Sequence, residues 1–104
     1  MSIQVADNLP PVHPGEILRD EIEAAGLSIR AFAAHIGVPP NYVTRILHGN
    51  GGITAKMALR LGQAFGTGER YWMNLQDYYE AKVARAEIGA AVARIKPLRE
   101  QDAA

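Results

Sequence analysis

Apolar residues return three and four positions apart over most of the chain, the rhythm of helices with one buried face, and two-residue strand alternation is weak throughout. The first helix is predicted to begin at His13-Pro14-Gly15-Glu16. Pro14 suits the first helical position, Glu16 can reach back to the cap N–H, and Val12 can staple onto Ile17. Its buried stripe is Ile17, Leu18, Ile22 and Ala25, and Gly26 ends it. Ser28 caps a second helix through Phe32, Ala33 and Ile36 to Gly37, with Leu27 stapled to Phe32. A third, set by Pro39-Pro40, buries Val43, Ile46 and Leu47 and stops at Gly49. Thr54 caps a fourth, with Met57, Ala58, Leu61 and Phe65 inward and Gly66 closing it. Thr67 is expected to cap a fifth containing Tyr71, Trp72, Leu75 and Tyr79. Ile88, Val92 and Ile95 then mark either a sixth helix or a continuation of the fifth, ended before Pro97.

The turn between the second and third helices is fixed by its own residues. Pro39 forces Val38 into an extended conformation, so the second helix cannot run on, and Pro40 needs no N–H at a first helical position. Val38 can staple Val43 across the turn, and the third helix lacks a cap side chain. Counted from Ile29 to His48, a small residue, Ala33, stands fifth, Gly37 ninth, and apolar Val43 and Ile46 fifteenth and eighteenth. Two steeply crossing helices require such a set: a small side chain at the contact, a glycine in the turn and buried anchors on the second helix. This is a helix-turn-helix pattern.

Charge changes the picture. The net charge is zero, yet 42 consecutive residues from Leu27 to Gly68 contain Arg30, Arg45, Lys56 and Arg60 and no acid. From Pro14 to Gly26 the chain carries Glu16, Asp20, Glu21 and Glu23 against Arg19 alone. One face is therefore expected to be basic and suited to duplex DNA, another acidic and suited to a basic protein. Pro40, Asn41, Thr44 and Arg45 point away from the core face of the third helix and are the candidate base readers. Asn matches adenine N6 and N7, Arg guanine O6 and N7, and the Thr methyl a thymine methyl. Ser28, Arg30, Tyr42, His48, Gly49 and Lys56 are candidates for phosphate contact, with the glycine loop Asn50-Gly51-Gly52 as a possible anion nest. Glu16, Asp20 and Glu23 are candidates for the protein partner. Tyr78, Ile88, Val92 and Ile95 exceed what one small core needs and are candidates for a homodimer interface.

A chain of 104 residues makes one small domain. It has no cysteine, hence no disulfide or thiolate metal site, and no secretory leader or apolar run of membrane-spanning length, so a cytoplasmic protein away from the membrane is expected. An enzyme is not expected, because Ser28, Thr54 and Thr67 are accounted for as caps and no nucleophile has an evident base. His13, His35 and His48 lack metal-ligand spacing, and neither metal nor cofactor is expected.

HPGEIL at residues 13 to 18, the IL-x-G turn at Ile46 to Gly49, the IT-x-x-x-ALRL segment from Ile53 and the W-x-NLQ segment from Trp72 together resemble the HigA/VapI branch of the lambda-repressor-like, XRE-type helix-turn-helix proteins. The resemblance covers residues 12 to 82, leaving an N-terminal arm at 1 to 11 and a C-terminal helical extension or tail at 83 to 104. It implies an all-α, five-helix DNA-binding antitoxin that dimerises, represses its own operon and neutralises a HigB/RelE-like ribonuclease toxin. A stand-alone repressor, or an interaction module that has lost DNA binding, are the alternatives. Three departures bear on the last: Ile29 in place of a common Gln, Pro39-Pro40 in place of a Ser cap and a polar residue, and Asn50-Gly51-Gly52 in place of a basic loop.

Overall fold

Every helix begins within a residue of its predicted start, and the caps explain why. The computed structural model describes residues 9–99, which form five helices and no strand. They are α1 (Pro14–Ala24), α2 (Ile29–Ile36), α3 (Pro40–Leu47), α4 (Ala55–Phe65) and α5 (Glu69–Ala93). Most of the expected arm and the end of the tail lie outside the described residues. Ser28 Oγ accepts the Ala31 N–H at 3.0 Å, and Thr54 Oγ1 accepts that of Met57 at 3.2 Å. At α1 the capping side chain is His13, whose Nδ1 accepts the Gly15 N–H at 2.9 Å and whose ring meets Tyr79 edge-on at 4.8 Å. The start of α1 is thereby joined to α5. α3 has no side-chain cap, as its Pro39-Pro40 start requires.

One cap is corrected. Thr67 does not cap α5; the N-cap is Gly68, at φ 82° and ψ 163°, and Thr67 Oγ1 instead donates to the Gly68 carbonyl at 3.0 Å. That backbone region is open essentially to glycine alone. The cause is the close crossing of α4 and α5. Gly68 N–H donates to Gly62 O at 3.2 Å, and a Cβ on Gly62 would collide with the backbone of Gly68 and Glu69.

The core collects the predicted stripes. Leu18, Phe32, Val43, Ile46, Met57, Leu61 and Trp72 are at most 1% exposed. Phe32, Phe65 and Trp72 form a ladder with centroid spacings of 5.4 and 5.7 Å, joining α2, α4 and α5. The Trp72 indole N–H meets no acceptor among the described residues, so its place rests on apolar contact. Three expected core or staple positions differ. Ala25 is exposed because it is already the cap of α1, and Val12 and Leu27 remain 48% and 39% exposed, whereas Val38 does pack against the core. Tyr71 is also 41% exposed, lying edge-on to Trp72.

Residues 83 to 93 continue α5 without a break at 82, so there is no sixth helix among the described residues. A helix of 25 residues is about 37 Å long, more than a core this size can cover, and the described structure is drawn out to 53 × 25 × 22 Å. The two glycines near and within α5 therefore predict opposite outcomes in urea unfolding. Gly62→Ala, forced against the backbone, is expected to cost about 1–3 kcal/mol or more. Gly89→Ala, whose Cβ would find Arg85 Cγ at an ordinary 3.5 Å, is expected to add about 0.5–1 kcal/mol through helix propensity.

Candidate nucleic-acid interface

The α2–α3 unit is built as its spacing demands. Ala33 is fully buried at the crossing, Gly37 takes φ 78°, and Val43 and Ile46 are fully buried anchors. The end of α2 is closed by Gly37 and Val38, whose N–H groups donate to Ala34 O and Ala33 O at 3.2 and 3.0 Å. Arg60 of α4 also donates to the Ile36 carbonyl, so one cation of the acid-free stretch is committed to a helix C-terminus. No local pattern around Arg60 marks it for this use.

The opposite side of α3 faces outward. Pro40, Asn41 and Arg45 are exposed and Thr44 is half-exposed. Thr44 Oγ1 donates to Pro40 O at 3.1 Å, which occupies the hydroxyl within the helix and leaves the methyl as its distinguishing group. The Arg45 guanidinium carbon lies 5.7 Å from the Tyr42 ring centroid, so this cation is braced along the helix without being neutralised. All four candidate base readers thus share one face of one short helix.

The candidate phosphate contacts divide into three groups. Ser28 and Arg30 stand exposed at the start of α2, where the Ser28 hydroxyl hydrogen remains available although its oxygen caps the helix. Tyr42 and Lys56 come together across a groove also lined by Pro39, Thr54 and Arg60, and the Tyr42 hydroxyl is 3.5 Å from Thr54 Oγ1 at the N-terminus of α4. A helix N-terminus flanked by a lysine and two hydroxyls is chemically suited to a phosphate. His48 and Gly49 lie exposed at the far end of α3. Here the nest reading needs correction. The N–H groups of Gly49 and Asn50 donate to Ile46 O and Arg45 O at 3.0 and 2.9 Å, closing α3, which withdraws Asn50 from the expected nest.

On α1, Glu16, Asp20 and Glu23 are all exposed at helical spacing, facing away from the buried Leu18 and Ile22. Arg19, the base among them, donates to the Leu47 carbonyl at 3.4 Å and so serves the C-terminus of α3. Along α5, Ile88 and Val92 are 54% and 50% exposed and line a shallow groove with Ala81, Ala84, Arg85 and Gly89. Tyr78, 53% exposed, carries Lys82 Nζ 5.6 Å from its ring centroid and does not line that groove, nor does Ile95, which lies past the helix end. No group of His, Asp and Glu able to hold a metal occurs among the described residues.

Residues 18–72 match the HTH_3 helix-turn-helix family. The chain belongs to that family. Virulence-associated protein I of Dichelobacter nodosus is 42% identical over 84% of this chain and 82% of its own length. Antitoxin HigA-1 of Vibrio cholerae is 33% identical over 85% of this chain and 84% of its own. The Pseudomonas aeruginosa antitoxin HigA, solved with the higBA promoter, superposes with a TM-score of 0.80 at 42% identity, covering 86% of this chain and 99% of that one. The chain is thus a HigA/VapI-type member of a DNA-binding family and not of an enzyme family.

Proposed function

We propose that this protein is the antitoxin of a type II toxin-antitoxin module, acting in the cytoplasm, which binds operator DNA as a homodimer and represses its own operon. The observation that carries the reading is the outward face of α3, where Asn41, Thr44 and Arg45 stand clear of the buried Val43 and Ile46. In this reading α3 lies in the major groove, Pro40, Asn41, Thr44 and Arg45 meet base edges, and Ser28, Arg30, Tyr42, His48 and Lys56 meet phosphates on either side. The Pseudomonas aeruginosa antitoxin HigA, solved with the higBA promoter, supports it. Of the three departures from the family pattern, Pro40 falls on this face and offers no hydrogen-bond donor there, whereas Ile29 and the glycine loop lie outside the base-reading set.

The toxin would dock on the acidic stripe Glu16, Asp20 and Glu23, drawn by opposite potential if it is a basic ribonuclease of the HigB/RelE-like type. The second copy would cover the α5 groove around Ile88 and Val92, with Tyr78 and Ile95 at its margins.

Three measurements test the parts. In anisotropy titrations, Arg45→Ala is expected to cost about 1–3 kcal/mol on operator and much less on scrambled DNA, whereas Lys56→Ala weakens both alike. Equal effects of Arg45→Ala on both DNAs would exclude base reading. Ile88→Asp with Val92→Asp is expected to give a monomer by light scattering at tens of micromolar and to abolish paired footprints about one helical turn, ~34 Å, or a multiple apart. Reversal of charge at Asp20 and Glu23 is expected to slow association with a co-expressed toxin, more at low than at high salt, with operator binding kept. Absence of any toxic neighbouring reading frame would instead favour a stand-alone repressor.

A further inference from the structure

Gln76 is a polar residue in the inner face of α5, 8% exposed and one turn beyond the fully buried Trp72. Its Oε1 accepts the N–H of Ile53 at 2.8 Å, across 23 residues of sequence. Its Nε2 donates to Glu80 Oε2 at 2.7 Å. The amide has one orientation that satisfies both neighbours, since a backbone N–H only donates and a carboxylate only accepts. Gly52 makes room for it: a Cβ there would stand 2.8 Å from Nε2. Ile53 is itself buried, so its N–H has no easy recourse to water if the amide is lost.

The loop held in this way joins α3 to α4. Its near end is fixed by the bonds from Gly49 and Asn50 that close α3, and its far end by Gln76 at Ile53, one residue before the Thr54 cap. Between those two anchors lie Gly51 and Gly52, which offer little conformational resistance of their own. We infer that Gln76, oriented by Glu80, is a positioning residue for DNA binding: it sets the Gly51-Gly52 backbone and the first turn of α4, with Thr54 and Lys56, at the spacing from α3 that duplex phosphates require. This rests on the operator-binding reading above. It also makes α5 a determinant of affinity although no α5 side chain need touch DNA.

The test is an exchange of the two partners, read by operator anisotropy together with thermal melting and amide exchange at Ile53. In Gln76→Glu the new carboxylate faces Glu80 with no hydrogen between them, and operator affinity is expected to fall roughly tenfold, the loss being equal on scrambled DNA because phosphates are involved. In Glu80→Gln the new amide oxygen still accepts from Gln76, and affinity should stay within about twofold. The exchange variant Q76E/E80Q restores a donor facing an acceptor and should return affinity to within about threefold of wild type, with Ile53 protection regained. Gln76→Met, which keeps the volume, should lower affinity as Q76E does and serves if Q76E does not fold. Wild-type affinity in Q76E or Q76M, or a loss that the exchange fails to recover, overturns the positioning role alone. A wild-type protein that binds no DNA overturns the operator-binding reading and this inference with it.

Discussion

The structure depends on keeping an eight-residue helix folded while one side of it stays bare. A helix that short is unstable in isolation, because nucleation consumes most of what its few hydrogen bonds return. α3 also starts without a side-chain cap. Its stability must therefore come from burying Val43, Ile46 and Leu47, at most 8% exposed, beneath α1 and α2. The remaining devices serve its ends. Pro39 and Pro40 predispose the first turn, and Gly49 and Asn50 close the last. α1 comes so near the last turn that a Cβ on Gly15 would collide with the Ile46 carbonyl, and Arg19 reaches the next carbonyl, of Leu47. A helix held from behind and at both ends can leave Asn41 and Arg45 unencumbered.

This requirement also divides the charge. The acid-free stretch suggested a single basic face, but Arg60 is drawn to the C-terminus of α2, where partial negative charge collects on unpaired carbonyls. Arg19 does the same for α3 from within the acidic segment. Both arginines stay exposed, but the cations that make no such carbonyl bond are Arg30, Arg45 and Lys56 on the α2–α4 side, against Glu16, Asp20 and Glu23 on α1. The one base among the α1 acids is turned toward a backbone carbonyl, and an arginine that looked available to DNA is fastening two helices.

The fold was largely legible in the sequence because its boundaries are made by residues that act locally. Ser28, Thr54, Pro40, Gly37 and Gly66 each start or stop a helix through their own side chain or backbone, whatever the tertiary setting. Thr67 misled because the choice of cap there is made by α4: the collision awaiting any side chain at Gly62 reflects a crossing that no local pattern contains. The base-reading candidates emerged from helical period and the Ile29–His48 spacing, and all lie where that period puts them. Work done across the fold was not found: the side-chain cap made by His13, the bond of Arg60 at the end of α2, and that of Gln76, noted only within the W-x-NLQ segment. Gln76 did leave a trace, a polar residue one turn after Trp72 on an otherwise apolar stripe. Its partner, the N–H of Ile53, is a backbone group and has no signature in sequence.

α5 brings these separate economies together. Its first turns fill the core with Trp72 and receive His13 from the start of α1 against Tyr79. Among those first turns Gln76 holds the loop after α3, and the last turns, past the reach of the core, expose Ile88 and Val92. One continuous helix thus touches the start of α1, anchors the exit from α3 and lines an apolar groove near its end. A second copy seated there would fix not only the distance between two α3 helices but, through the same helix, the pose of each against its own loop. Spacing between half-sites and grip within each half-site would then both involve this one element.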